Sequence, residues 1–195
     1  GDNMAVSSGF FNSKDHDRKY DAEQISGLFE GIINDGVYES VGNIFRVAAT
    51  TGMNVTVDTG RAWFNSRWTL NDALIVLTVP TAEQVLDRID AVVLEVNNLD
   101  TVRENAIKII KGTPGSAPGK PTLSKTGDIY QYPLAYITVK AGVTTITQPD
   151  IENAVGTSEC PFVTGIIKTI DIDGLILQWS TQFNLMFAEL EAMIA

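Results

Sequence analysis

Hydrophobic positions alternate with polar ones through the middle of the chain and recur every three or four residues near both ends, which predicts a β-rich body flanked by helices. The pattern is clearest in Val55-Thr-Val-Asp58 and Arg61-Ala-Trp-Phe-Asn-Ser-Arg-Trp68, where Thr59-Gly60 interrupts the period and suits two short strands meeting at a tight corner. From Phe45 to Val96 short β-rich runs are separated by Thr51-Gly52, Asn71-Asp72 and Pro80. Thr81 and Gln84 have the spacing of a capping box, so a short helix or turn is expected over 81–87, bridging two strands. Strand signals return at Ala106–Lys111, Leu134–Lys140 and Val143–Thr147. Between the first two, Gly112-Thr-Pro-Gly-Ser-Ala-Pro-Gly-Lys-Pro121 excludes regular structure and predicts a connecting loop that hugs the surface.

The ends behave differently. Asp21 and Gln24 form another capping-box spacing, after which Ile25, Leu28, Phe29 and Ile32 fall on one face of a helix expected over roughly 22–33. Asn34-Asp-Gly36 stops it. Residues 5–20 lack either period and read as an extended arm. At the far end Ile172, Ile176, Trp179, Phe183, Met186, Leu190 and Met193 recur at alternating steps of four and three, the seam of a coiled coil, while Leu175, Leu185 and Phe187 widen the stripe. Each apolar helix face has two candidate destinations, the chain's own β-domain or a second copy of the chain, and the expectation is that both faces, Ile25/Leu28/Phe29/Ile32 and the seam from Ile172 to Met193, form an oligomer interface. The expected architecture is therefore mainly β with flanking helices: an antiparallel β-sandwich or barrel-like core, an N-terminal helix and a C-terminal assembly helix. The expected divisions are an arm and helix over 1–40, a β-rich core over 41–165, and the C-terminal helix over 166–195.

Composition narrows the function classes. A formal charge of −10, with 14 scattered basic residues, disfavours nucleic acid, whose phosphates demand clustered Lys and Arg. The longest strongly apolar run, Ala73–Val79, is far short of the roughly 20 residues of a membrane-spanning helix, so no membrane insertion is expected. The opening residues lack a basic segment followed by an apolar run, so no signal peptide is expected. The single cysteine, Cys160, has no internal disulfide partner, and no Cys/His spacing suggests a metal or other cofactor.

Candidate chemistry is sparse. His16 sits between Asp15 and Asp17 on a segment whose neighbouring side chains diverge, so it reads as solvated. Asp58 and Asp72 bracket the aromatic corner, as a glycosidase pair would, but both adjoin turn signals and read as turn-capping aspartates. Cys160, next to Pro161 with no basic neighbour, reads as a buried small residue. Trp63, Phe64 and Trp68 divide between the two faces of a strand, so at least one enters the core, and Trp63 and Trp68 are the candidate carbohydrate contacts.

The order of motifs resembles the opening of tail and baseplate structural proteins of siphophages and prophages of Gram-positive bacteria. The resemblance is carried by Phe10-Phe11-Asn12-Ser13, Asp17-Arg18-Lys19-Tyr20-Asp21-Ala22, Gly36-Val37-Tyr38, Gly52-Met53-Asn54-Val55-Thr56-Val57 and Gly60–Asn65. It continues through Asp87-Arg88-Ile89-Asp90-Ala91-Val92-Val93-Leu94, Gly112-Thr113-Pro114, Pro133–Ile137 and Ile151 near Cys160, spanning about residues 8–165. Glu152-Asn153-Ala154 and Cys160-Pro161 stand where related sequences often carry Asp-x-Arg and Cys-Gly. The resemblance implies a non-enzymatic virion component: the N-terminal module of a baseplate upper or receptor-binding protein, often trimeric, docked to other tail or baseplate proteins. The alternative, from the aromatic corner, is a carbohydrate-binding module for a bacterial envelope glycan, with host polysaccharide as partner.

Overall fold

The computed structural model describes Asn12, residues 14–15, 20–165 and 172–194, with the side chains of 176–189 and 191 in the last helix. Most of the expected arm, including Phe10, Phe11 and His16, lies outside the described residues. The chain divides into two compact units, one ending at Val163 and the other starting at Thr164.

The first unit is built from antiparallel sheets with no closed barrel. The largest places β7 (Arg88–Asn97) between β8 (Glu104–Ile110) and β10 (Ile129–Val139), with β11 (Ile151–Asn153) and the short β9 (Lys125–Thr126) also paired to β10. Two three-stranded sheets have the orders β1-β4-β5 (Gly36–Gly42, Gly60–Phe64, Arg67–Asn71) and β2-β3-β6 (Val47–Ala49, Asn54–Val57, Ile75–Thr78). One face of β7 carries Val92, Leu94 and Val96 into a core shared with Leu134 and Ile137 of β10 and with Val55, Val57, Ala62 and Phe64 of the small sheets. Period-2 alternation thus becomes layering, because each strand offers one apolar face to the layer opposite.

Pro133 sits inside a central strand, where a missing N–H normally excludes it. The ladder accommodates it with a bulge: Pro133 pairs with Val93 and Ala135 with Val92, leaving Leu134 as the extra residue, fully buried. The corner at Thr59-Gly60 carries the chain from one small sheet to the other, since β3 and β4 do not pair with each other. Asp58 caps this corner, accepting hydrogen bonds from Thr59 N–H at 2.7 Å and Asn43 Nδ2 at 3.0 Å. The backbone bond from Thr59, then the Asn43 bond, hold its carboxyl below the usual range. Gly60 is required there because a Cβ would come within 2.6 Å of the buried Phe45 ring.

The outer face of the large sheet buries a smaller cluster of Ala91, Val93, Tyr136 and Ala154, packed against Ile89, Ile110 and Leu123. The Pro/Gly-rich loop lies over it as a clasp. Gly115 N–H bonds to Asp87 O at 2.9 Å, and Lys120 Nζ sits 3.9 Å above the Tyr136 ring while pairing with Glu152 and Glu159, each at 3.1 Å. Asn153 acts as an edge clip: its amide accepts from Val47 N–H at 2.9 Å and donates to Val47 O at 3.1 Å. Cys160 is fully buried, which pushes its thiol up to about 12.

Farther along the same outer face, Glu95 is almost fully buried and meets Lys108 Nζ at 2.7 Å and Gln131 Nε2 at 2.8 Å. Burial opposes its charge, but the bonds from Gln131 and Lys108 outweigh it and hold the carboxyl below its ordinary value. A depressed native pKa means that the unfolded chain binds the proton first, so this stabilisation is complete above the unfolded value of about 4.3 and is lost as pH falls through the lower native one. In thermal melts across the acid range, Glu95→Gln is expected to lower stability at neutral pH by about 1 kcal/mol and to shallow the acid-side decline. A parallel decline in both proteins would contradict this role.

Three local expectations are corrected. No helix forms over 81–87; the chain makes an open bend at Gln84-Val85. The Arg88 guanidinium takes the Thr81 carbonyl oxygen, which would accept the first bond of such a helix, at 2.9 Å, together with that of Pro80 just before it. Val143–Thr147 is not a strand, although Ile146 is buried and its N–H bonds to Gly52 O at 2.9 Å. The N-terminal helix α1 is only Ala22–Ser26, continued by a 3₁₀ turn over Gly27–Phe29. Its capping box forms as the spacing predicts, with Gln24 N–H donating to Asp21 at 2.8 Å and Asp21 N–H to Gln24 at 3.1 Å. Gly27 and then Gly31, at φ +77°, end it early.

The second unit contains helix α2, Ile172–Ile194, about 34 Å long at 1.5 Å per residue. No helix among the described residues is long and apolar enough to cross a membrane.

Candidate functional site

Two features of the described residues present unusual surfaces. The first is a groove of about 1040 Å³ between α1, the β4–β5 hairpin and the β7–β8 connection. Its aromatic wall follows from strand parity. In β4, Ala62 and Phe64 point into the core, so Trp63 faces outward, and the hairpin register sets Trp63 directly opposite Trp68. Trp68 is 63% exposed. Phe29, just beyond α1, meets Trp63 edge to face at a centroid distance of 5.5 Å.

The hairpin is held firmly. Asn65 and Ser66 both take positive φ, +49° and +59°, as a two-residue turn of this kind requires. Asn65 N–H bonds to Asp35 at 3.0 Å, and the Tyr132 hydroxyl donates to the Asn65 side-chain oxygen and lies 3.1 Å from Asp35 Oδ2. Tyr132 stacks on Phe64 at 3.8 Å, with Lys125 Nζ 3.9 Å from its ring centre. Burial first, then the Asp35 carboxylate, raises the Tyr132 hydroxyl well above its usual pKa, so it remains a donor. Burial likewise lowers the Lys125 ammonium. On the other side, Asn105 Nδ2 donates to Trp68 O at 3.2 Å and Thr69 Oγ1 at 2.7 Å, tying β5 to the start of β8.

The opposite rim of the groove includes Asn98, Asp100, Arg103 and Asp128. The side chains of Asn98, Asp100, Glu104 and Asp128 take no hydrogen-bond or ion-pair partner among the described residues. These rim residues escaped the sequence reading. Asn98, Asp100 and Arg103 lie on the β7–β8 connection, and Asp128 is brought beside them by the β7–β10 pairing, where Asn98 N–H bonds to Asp128 O at 2.7 Å; no local pattern around Asp100 or Asp128 marks the meeting.

The second feature is the stripe on α2. Ile176, Trp179, Phe183 and Met186 are each more than half exposed and line one shallow depression. Leu177, Leu185 and Phe187 are exposed as well, with Phe183 and Phe187 rings 5.3 Å apart. The side chains of Ile172, Leu190 and Met193 lie outside the described residues. In the first unit, Ile25, Leu28, Phe29 and Ile32 are 40–48% exposed, so the expected N-terminal apolar face is partly covered, with Phe29 turned to the chain's own Trp63. Asp58 is engaged at its corner, and among the described residues no group of three or more His, Cys, Asp or Glu converges as metal ligands would.

No family model, curated protein or solved structure matches the chain.

Proposed function

We propose that the chain is a structural component of a phage or prophage tail baseplate, located in the virion, that assembles as a homo-oligomer and links the tail tip to host-receptor-binding parts. The exposed apolar stripe of α2 carries this reading. Burying side chains the size of Trp179, Phe183 and Met186 stabilises by about 2 kcal/mol each, so a stripe of this width gives up considerable free energy while it faces water. Steps of four and three keep Ile176, Trp179, Phe183 and Met186 on one seam, which is the arrangement that lets copies of one helix bury each other. The function is mechanical: the β unit is a rigid body and the helix the joint.

The trimer is the favoured state, from the resemblance to baseplate proteins and from their position at a symmetric tail tip. The paired change Trp179→Glu and Phe183→Glu removes about 4 kcal/mol of seam burial, roughly a thousandfold in association. Light scattering coupled to size exclusion is expected to show the variant as a monomer while its β-sheet circular dichroism is unchanged. A variant that retained the parent's oligomeric mass would remove the seam from the assembly.

A further inference from the structure

We propose that the groove between α1, the β4–β5 hairpin and the β7–β8 connection binds an uncharged oligosaccharide. Trp63 and Trp68 stand side by side on one sheet face, Trp68 exposed and Trp63 half-buried beside Phe29, and indole faces open to the groove offer flat apolar platforms for the C–H faces of pyranose rings. Facing them, Asn98, Asp100 and Asp128 supply amide and carboxylate groups unclaimed among the described residues, able to accept hydrogen bonds from sugar hydroxyls. A concave site with apolar walls and a few fixed polar groups is the usual form of a small-ligand site.

Charge selects within the class. Four acidic residues, Glu23, Asp100, Glu104 and Asp128, line the groove against two arginines, Arg67 and Arg103, so acidic polymers are repelled and neutral sugars are not. The platform is also preformed: the Asn105 bonds to Trp68 O and Thr69 and the Tyr132–Asn65 link hold the hairpin before any ligand arrives, which lowers the ordering cost of binding. This site is independent of the assembly role, since none of the residues lining it belongs to α2.

The test uses the three tryptophans as reporters. The full ¹⁵N-labelled chain is titrated with uncharged gluco-, galacto-, rhamno- and N-acetylglucosamine hexasaccharides, and with hexagalacturonate as the acidic counterpart, following the three indole N–H signals. At least one uncharged probe is expected to shift the Trp63 and Trp68 signals saturably while Trp179 stays fixed, and hexagalacturonate to bind at least about tenfold more weakly. Trp68→Ala, at an exposed position, is expected to keep the parent melting temperature and to weaken the responding sugar at least about tenfold. Absence of saturable shifts with every uncharged probe, equal binding of the acidic one, or affinity that survives Trp68→Ala would overturn the proposal. Loss of oligomerisation in the α2 variant leaves this result untouched, so the two readings fail separately.

Discussion

Asp90→Ala is expected to destabilise the β unit by about 3–5 kcal/mol, a large part of the 5–15 kcal/mol that holds a typical domain together. Arg88 and Asp90 lie two residues apart on the core-facing side of β7, and both side chains are completely buried. Arg88 Nε meets the two Asp90 oxygens at 2.9 and 3.2 Å, its remaining nitrogens bond to the Pro80 and Thr81 carbonyls, and Asp90 also accepts Gly112 N–H at 2.8 Å. Removing the carboxylate alone strands a guanidinium out of water and orphans the Gly112 N–H, whereas removing both charges together still orphans that donor but leaves no charge unpaired. Denaturant unfolding should therefore show a collapse in Asp90→Ala and a substantial recovery in Arg88→Met with Asp90→Leu, because well-packed apolar pairs often match a buried ion pair. If Asp90→Ala unfolded at the parent midpoint, the network would be a bystander.

Gly112→Ala should cost about 3 kcal/mol, large for the addition of one methyl group. A Cβ there would lie 1.9 Å from Ile89 O and 2.8 Å from Ile89 C, backbone atoms of a central strand that cannot step aside. Relief would pull Gly112 N–H from Asp90 and lift the start of the clasp loop from the sheet. Gly119→Ala is the internal control, since a Cβ at Gly119 meets nothing within 4 Å. Equal denaturation midpoints for the two alanine variants would contradict the close approach.

These two positions show which features are legible in sequence. The strands are, because Val92, Leu94 and Val96 alternate with Ala91 and Val93, and the two sets do face different clusters. The α1 cap is legible in Asp21 and Gln24, and α2 in its seam. What misleads is a local signal overruled at long range. Thr81 and Gln84 have helix-starting spacing, yet Arg88 claims the Thr81 carbonyl that would accept the first helical bond. Val143–Thr147 has strand composition but no partner strand, so only isolated bonds such as Ile146 N–H to Gly52 O hold it. The aromatic half of the groove is only partly visible in sequence: alternation separates Trp63 from Phe64, but Trp68 comes round to Trp63 through the Asn65-Ser66 turn, which the strand pattern does not mark, and the polar rim comes from Asn98, Asp100 and Asp128, whose approach depends on folded loops rather than on any spacing. The buried pair behind Arg88-Ile-Asp90 is written plainly in sequence, but the same three residues before an apolar strand carry no mark of what they will bond.

Sedimentation of the intact chain over a wide concentration range tests the assembly claim most directly. A species of three chain masses that persists on dilution and disappears when Trp179 and Phe183 become glutamate is the predicted result. A single-chain mass held up to millimolar concentration would contradict it.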